Sequence, residues 1–376
     1  MTAAAERARR HIHPLGSVDA MEAQIARWMS QLLGDPQTPE LDPLALYRKA
    51  RRTDSRMSGY YNHNVRIASP VGPVLVRIPV RNADQMDLRI WPEADVLRCL
   101  ALRVDRISRL LHVSRDPPFQ IHDFVSGWQL NDLAPRGTPV PPTVVPDVLR
   151  LFRQLGDVQR DELPPTPAGW PADGDCVDFA TRLSGITQRV FDEYSEQFGS
   201  LFHGFGIPVD PLATTQASWV SLASRPFRIV HADVHRKNMV VIGDGVVFLD
   251  WELALWGDPV YELAVHVHKM TYLDDELATL LRGWEGMTDP ASSRSWQHDL
   301  AIYQKHERIK SAIVDSVRYA KEIIAPTTSD KRRKSLVDKL TGKLNAAGDV
   351  WGWRKFITAD DVKTVIERWH RTTTGR

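Results

Sequence analysis

The amino-acid sequence predicts an α+β fold in which a small β-rich lobe precedes a larger, mainly helical lobe. Short strand-like runs around a proline-glycine turn dominate residues 57–80, whereas long segments with helical spacing of apolar residues dominate the chain after residue 176. A length of 376 residues is compatible with about two domains. We expect a helical extension over residues 1–50, the small lobe over 51–125 and the helical lobe over 126–376.

Composition and charge exclude several classes of protein. Lys and Arg number 48 and Asp and Glu number 47, so the near-zero net charge of +1 argues against a protein that binds nucleic acid or membranes through bulk charge. No apolar run approaches the ~18 residues of a transmembrane helix, and the N-terminus lacks the apolar core of a secretory signal. The only cysteines, Cys99 and Cys176, are too few for a disulfide framework. We therefore expect a cytoplasmic protein, with its oligomeric state open.

The small lobe can be followed element by element. Apolar residues at helical spacing predict a helix over 19–33, and the proline-bearing, then basic segment 35–56 is expected to be a connection. Two strand-like runs, around 64–68 and 74–80, flank the turn sequence SPVGP and predict a β-hairpin. A helix over 92–102 and a strand over 119–127 follow.

The large lobe is expected to be mostly helical. An apolar face over 148–155 predicts one helix between two proline-rich stretches. Further helices are predicted over 177–198, 259–270, 297–323, 332–346 and 360–371.

The segment FRIVHADVHRKNMVVIGDGVVFLDWE, residues 227–252, carries the most chemistry. Two strand-like runs flank the turn at residues 243–245, so a hairpin would bring Asp233 and Asn238, which precede it, close to Asp250, which follows it. Asp and Asn oxygens suit Mg²⁺, and a further carboxylate could accept a hydroxyl proton. A polar loop beside an ordinary buried hairpin is the alternative, and the combination of spacing, hairpin and the following GDPVYELA disfavours it.

This combination resembles the aminoglycoside phosphotransferase family, whose fold is similar to that of protein kinases. The family motif is close to His-Gly-Asp-x-His-x-x-Asn and stands here as HADVHRKN, with Ala232 in place of the glycine. The resemblance implies that Asp233 orients and deprotonates the attacking hydroxyl. It also implies that Asn238 and Asp250 bind Mg²⁺, and that ATP or GTP is the phosphate donor.

The same resemblance implies a nucleotide site in the small lobe. Ser58 lies where the phosphate loop would be, although MSGYYNHN has one glycine rather than a glycine-rich set. Arg77 stands where kinases have a lysine, and Glu93 on the next helix would be its partner. The resemblance also implies that backbone groups of Asp123 and Val125 bind the purine.

The implied activity is transfer of a phosphoryl group to a hydroxyl of a small molecule. We expect an antibiotic of the aminoglycoside, macrolide or nucleoside type, so that the protein confers resistance. A metabolite kinase similar to choline, homoserine or fructosamine kinases is the alternative, followed by a non-catalytic kinase-like binding protein. The acceptor pocket is expected among residues 177–198, 272–276 and 297–319. The acidic run at 274–276 would either attract a cationic substrate or form a solvated helix start.

Overall fold

The structure is a computed structural model, and it describes residues 41–53, 62–80, 89–243 and 245–375. The predicted helix over 19–33 lies outside these residues. The helices are α1 (Pro43–Arg52), α2 (Glu93–Leu100), α3 (Leu130–Leu133), α4 (Val144–Asp157), α5 (Cys176–Phe205), α6 (Ala213–Trp219), α7 (Pro259–Met270), α8 (Asp274–Met287), α9 (Trp296–Ile324), α10 (Asp330–Trp351) and α11 (Ala359–Thr374). The strands are β1 (Asn62–Ser69), β2 (Gly72–Pro79), β3 (Leu110–Arg115), β4 (Pro118–Asp123), β5 (Trp128–Gln129), β6 (Arg228–Val230), β7 (Met239–Ile242), β8 (Gly245–Phe248) and β9 (Leu255–Gly257).

The small lobe is built on a four-stranded antiparallel sheet in the order β1-β2-β4-β3. The predicted hairpin is confirmed as β1 and β2, and Gly72 turns the chain with a φ of 105° that favours glycine. The predicted strand over 119–127 is found as β4, which ends at Asp123. Strand β3 was not predicted. Among the described strands its one neighbour is β4, and it is half-buried along most of its length without alternating buried and exposed positions.

Helix α1 corrects the expectation that residues 35–56 form a connection. The side chain of Asp42 caps it by accepting a hydrogen bond from Ala45 N–H at 2.9 Å. Leu46 and Ala50 are buried in the same apolar core as the sheet, and Tyr47 stacks on Phe119 of β4 with ring centroids 4.8 Å apart. Helix formation here depends on contact with the distant sheet, and so the proline-bearing, basic sequence did not reveal it.

The large lobe has one extended apolar core around α4, the first half of α5, α7 and α8. Two small sheets, β5-β7-β8 and β6-β9, lie at the side of this core. The segment between β6 and β7, residues 231–238, together with residues 249–252 after β8, forms the loops described below.

A second core joins the end of α5 to α9, α10 and α11. The helices predicted over 297–323, 332–346 and 360–371 are confirmed, each with bounds a few residues wider. The α+β class and the order of a small sheet lobe before a helical lobe are likewise confirmed. Within the described residues, no helix combines the length and apolarity that crossing a membrane requires.

Candidate active site

The hairpin of β7 and β8 brings the chemical residues together. Its strands pair antiparallel from Met239 opposite Phe248 to Ile242 opposite Gly245. One residue beyond the pair, Leu249 N–H donates to the carbonyl oxygen of Asn238 at 2.8 Å. Asn238 and Asp250 are therefore held next to each other by the backbone itself. Residues 231–238 are called the catalytic loop below.

Asp233 lies in the catalytic loop with only 16% of its side chain exposed. Its Oδ2 accepts a hydrogen bond from Asn238 Nδ2 at 2.9 Å, and its Oδ1 lies 3.5 Å from His235 Nε2. Lys269 Nζ, from the last turn of α7, also contacts Oδ1. Burial acts to raise the pKa of Asp233, but the Lys269 ammonium and the His235 ring outweigh it, so this pKa lies well below its ordinary value. Asp233 is thus held ionised and fixed in orientation.

Lys269 and Arg236 were not singled out by the sequence analysis. Lys269 lies 36 residues from Asp233 and belongs to no motif with it. Arg236 is buried inside the catalytic loop, where Nε donates to Met270 O at 2.9 Å and Nη1 donates to Ala134 O at 2.6 Å. A basic residue in the last turn of α7 was the only available signal for Lys269, and it fits a helix terminus equally well.

Ala232, where the family motif has glycine, adopts a φ of 59°. An L-residue pays about 1–2 kcal/mol in this left-handed conformation, and glycine does not. The Ala232 N–H donates to Glu262 Oε2 on α7 at 2.6 Å, which holds the strained peptide in place. Burial raises the pKa of Glu262 to about 7.

Arg77 lies between three carboxylates at the junction of the lobes. Nη1 is 2.6 Å from Glu93 Oε1, Nη2 is 2.7 Å from Asp250 Oδ1, and Glu252 Oε2 is 3.8 Å from Nη2. Burial acts to lower the pKa of Arg77, but the three carboxylates, Glu93 first, outweigh it and raise the pKa. Glu93 Oε1 also accepts a hydrogen bond from Trp251 N–H at 3.1 Å, so this carboxylate joins α2 and β2 to the segment after β8.

Two backbone N–H groups at the end of β4 are already hydrogen-bonded. Phe124 N–H donates to Pro73 O at 3.1 Å, and Asp123 N–H donates to Arg109 O at 3.0 Å. Among the described residues, none accepts a hydrogen bond from Val125 N–H. His122 is buried beside them, with Nε2 2.9 Å from Gln120 Oε1, and burial lowers its pKa to about 3.

The structure brings Arg77, Glu93, Asn238 and Asp250 to the junction of the lobes, with Asp233 beside Asn238. Ser58, the expected phosphate-loop residue, lies outside the described residues. The acidic run at 274–276 begins helix α8, and Glu276 accepts hydrogen bonds from Val140 N–H and Leu273 N–H. Glu276 therefore caps the start of α8 and ties it to the segment around Val140.

Asn238 and Asp250 carry oxygens of the kind that Mg²⁺ prefers. Because Asn238 Nδ2 donates to the carbonyl and carboxylate of Asp233, its amide oxygen is fixed as the atom that faces away from Asp233. Asp250 is bonded to Arg77 through Oδ1, and a third of its side chain is exposed. No cluster of three or more His, Cys, Asp or Glu residues suited to a metal occurs in the described part of the chain. One carboxylate and one amide oxygen are instead typical of Mg²⁺ that also binds substrate phosphates.

Comparison with known proteins identifies a family. The profile of the phosphotransferase enzyme family (APH) matches residues 56–296, well over half of the chain. No curated protein sequence matches significantly.

Solved structures are similar to this chain at low sequence identity. A protein assigned as an aminoglycoside phosphotransferase from Ralstonia eutropha is 16% identical, with 83% of this chain and 98% of that chain covered and a TM-score of 0.51. Plasmodium vivax ethanolamine kinase is 12% identical, with 89% and 96% covered and a TM-score of 0.49. A macrolide 2'-phosphotransferase from Brachybacterium faecium is 13% identical, with 82% and 98% covered and a TM-score of 0.46. With its kinase-like fold and its family profile match, the chain belongs to the phosphotransferase enzyme family.

Proposed function

We propose that this phosphotransferase moves the γ-phosphoryl group of ATP or GTP to a hydroxyl of a small molecule, with Asp233 as the catalytic carboxylate. The observation that carries the proposal is the position of Asp233, which Lys269 and Asn238 hold ionised and oriented. Asn238, its hydrogen-bond partner, is in turn held next to Asp250 by the backbone of the hairpin. Phosphoryl transfer requires positioning and charge compensation more than covalent help, and this constellation supplies both.

The nucleotide would bind at the junction of the lobes. The backbone carbonyl of Asp123, whose N–H already donates to Arg109 O, and the N–H of Val125 would contact the purine. Ser58 is proposed as a phosphate-binding residue. Arg77, held by Glu93, would contact the phosphates through its planar fork of donors. Asn238 and Asp250 would hold Mg²⁺, which when bound neutralises charge on the phosphate oxygens.

Asp233 would receive the acceptor hydroxyl. As the oxygen of the acceptor hydroxyl forms a bond to the γ-phosphorus, the bond from that phosphorus to the oxygen that bridges it to the β-phosphorus breaks, and ADP or GDP leaves. The hydroxyl proton passes to Asp233 and then to solvent. Because Lys269 keeps Asp233 ionised, the carboxylate is a hydrogen-bond acceptor at neutral pH and aligns the hydroxyl before transfer.

The proposed acceptor is an antibiotic that carries a hydroxyl group, and antibiotics are the first class of molecule to test. Incubation with ATP or GTP, Mg²⁺ and a panel of aminoglycosides, macrolides, nucleoside antibiotics and metabolites should give one class of product heavier by one phosphoryl group. Expression in a sensitive bacterium should then raise resistance to that class. A product from metabolites alone supports the metabolite kinase, and no Mg²⁺-dependent product at all contradicts the proposed function.

A further inference from the structure

Helix α7 lies along the catalytic loop and contacts it through side chains at positions 262, 266 and 269, which share one face of the helix. Glu262 and His266 are buried, and they bond to backbone groups of the loop at 2.6 and 2.9 Å. Lys269 differs from both, because it contacts a side-chain oxygen, Oδ1 of Asp233, and a quarter of its own side chain is exposed. Two side chains of α7 therefore fix the loop, and the third reaches the reacting carboxylate.

The Lys269 side chain is anchored at its base and adjustable at its end. Its backbone belongs to the last turn of α7, which Glu262 and His266 tie to the catalytic loop. A lysine has a flexible stem and several N–H donors, so its ammonium can contact a second acceptor while the helix stays in place. Burial acts to lower the pKa of Lys269, but Asp233 and then Glu307 outweigh it and raise this pKa, so Lys269 is charged at neutral pH.

The proposed mechanism puts the transferring phosphoryl group close to this ammonium. The acceptor hydroxyl would lie about 2.6–3.2 Å from Asp233, and a phosphorus in near-attack geometry lies about 3–3.5 Å from the hydroxyl oxygen. Asn238 donates to Oδ2 of Asp233, and a hydroxyl bound to Oδ1 would share that oxygen with Lys269. An oxygen of the phosphoryl group would then lie within a rotation of the Lys269 side chain from its ammonium.

The charges around the reacting groups favour a cation at this place. Arg77 pairs with Asp250 at the proposed metal site, so it would serve the nucleotide side of the phosphoryl group. On the acceptor side, His235 Nε2 is 3.5 Å from Asp233 Oδ1 and is charged only when protonated, whereas Lys269 contacts the same oxygen with a full positive charge. Negative charge travels with the phosphoryl group from the nucleotide to the acceptor, and a preorganised cation on the acceptor side would lower the barrier.

We infer that Lys269 is a second catalytic residue, whose ammonium contacts Asp233 and also donates to an oxygen of the phosphoryl group during transfer. The γ-phosphorus exchanges its bond to the nucleotide oxygen for a bond to the acceptor oxygen, and Lys269 keeps its proton throughout. This inference rests on the proposed function and adds to it a cation on the acceptor side of the phosphoryl group. The alternative is a positioning role, in which Lys269 acts only through Asp233.

The first test needs no acceptor, because fluoroaluminate can stand in for the transferring phosphoryl group. The Kd of MgADP, or of MgGDP if GTP is the donor, is measured by calorimetry with and without fluoroaluminate, and the ratio of the two values is called the tightening. We expect tightening in the wild type. Lys269→Met removes the charge and keeps the length of the side chain, so it should reduce the tightening by about tenfold or more, as for the loss of a hydrogen bond between charged groups. The Kd of the magnesium nucleotide alone should stay within about twofold of wild type, because Lys269 would contact the transferring group only.

Matched variants control for charge and for folding. Lys269→Arg, which keeps a cation, should restore part of the tightening. Lys305→Met, which removes an exposed lysine of α9, should leave the tightening at its wild-type value. If Lys269→Met no longer binds the magnesium nucleotide, Lys269→Gln takes its place in the comparison, because glutamine keeps an N–H donor for Asp233 without the charge.

A double-mutant comparison separates direct contact from positioning. In an Asp233→Asn background, Lys269 has no carboxylate to hold in place. If Lys269 acted only through Asp233, adding Lys269→Met to this background would not change the tightening. We expect the tightening to fall by about tenfold here too, since the ammonium would still contact the phosphoryl analogue.

The results distinguish the inference from the function on which it rests. Equal tightening in the wild type and in Lys269→Met overturns the inference and leaves the proposed function standing. A loss that occurs with Asp233 present but not in the Asp233→Asn background also overturns it, and makes Lys269 a positioning residue. Absence of any tightening in the wild type contradicts the proposed function itself.

Discussion

Replacing Asp233 by asparagine tests the centre of the proposed mechanism. Asp233→Asn keeps the shape of the side chain but removes its charge and one acceptor oxygen. The carboxylate now accepts from Asn238 and from Lys269, with His235 close by. The asparagine amide can accept through one oxygen only, so its amino group must face one of these donors.

Both rate and stability should respond, by different amounts. Loss of a general base typically lowers kcat by ~10²–10⁴-fold, which corresponds to roughly 3–5 kcal/mol in activation free energy. Loss of a hydrogen bond to a charged group should lower the free energy of unfolding by about 1.5–3 kcal/mol. Because Arg77, Asn238 and Asp250 are untouched, the Kd for the magnesium nucleotide should stay within a few-fold of wild type.

The assay compares kcat for acceptor-dependent ADP formation with the Kd for the magnesium nucleotide and with chemical unfolding. Asp192→Asn is the matched control, since Asp192 is an exposed residue of α5 that only accepts from Gln188. A kcat within a few-fold of wild type would refute the assignment of Asp233 as the base. Collapse of nucleotide binding together with kcat would instead place Asp233 in metal binding or in folding of the loop.

Four further outcomes are expected. Asp250→Ala should abolish turnover and magnesium-dependent nucleotide binding, measured by calorimetry, while circular dichroism stays native; retained activity would remove Asp250 from the metal site. Arg77→Ala should raise the nucleotide KM by about tenfold or more. Arg77→Lys should recover only part of this loss, because lysine keeps the positive charge but lacks the planar fork of donors. Unchanged kinetics would show that Arg77 does not contact the nucleotide. Ala232→Gly should raise the free energy of unfolding by up to about 1 kcal/mol with activity retained, since the φ of 59° no longer costs strain; destabilisation in urea would contradict this. Burial lowers the pKa of His266 from 6.5 to about 4, so this histidine is protonated in the unfolded chain before it is protonated in the folded one as pH falls. The free energy of unfolding should therefore decrease between about pH 6.5 and pH 4, by on the order of 3 kcal/mol. His266→Asn should flatten this dependence on pH, and an unchanged dependence would assign it to other groups.

The hairpin site could be predicted from sequence because its geometry is local. The residues from Asp233 to Asp250 are linked by a short loop and two paired strands, so spacing alone places both ends together. The pairing of Arg77 with Glu93 was implied by the family resemblance alone, and the structure has Arg77 Nη1 at 2.6 Å from Glu93 Oε1.

Long-range contacts could not be predicted in the same way. Lys269 meets Asp233 only because α7 packs beside the catalytic loop, and a lysine on a helix ordinarily belongs to a solvated face. Helix α1 and strand β3 were missed for the related reason that their formation depends on partners elsewhere in the chain. Sequence reasoning therefore brought together the residues that the hairpin joins, and it missed Lys269 and Arg236, whose contacts come from other elements.

Both functional carboxylates are held by a basic residue from another element. Arg77 of β2 occupies Oδ1 of Asp250, and Lys269 of α7 contacts Oδ1 of Asp233. Lys269 keeps Asp233 ionised, and both cations hold their carboxylates in place before any ligand binds, which lowers the cost of assembling the site. If the proposed function holds, nucleotide binding would exchange partners, because Arg77 would have to share or release Asp250 to contact the phosphates. Glu93 also pairs with Arg77 and is more deeply buried than Asp250, so the guanidinium would keep one carboxylate partner in that exchange.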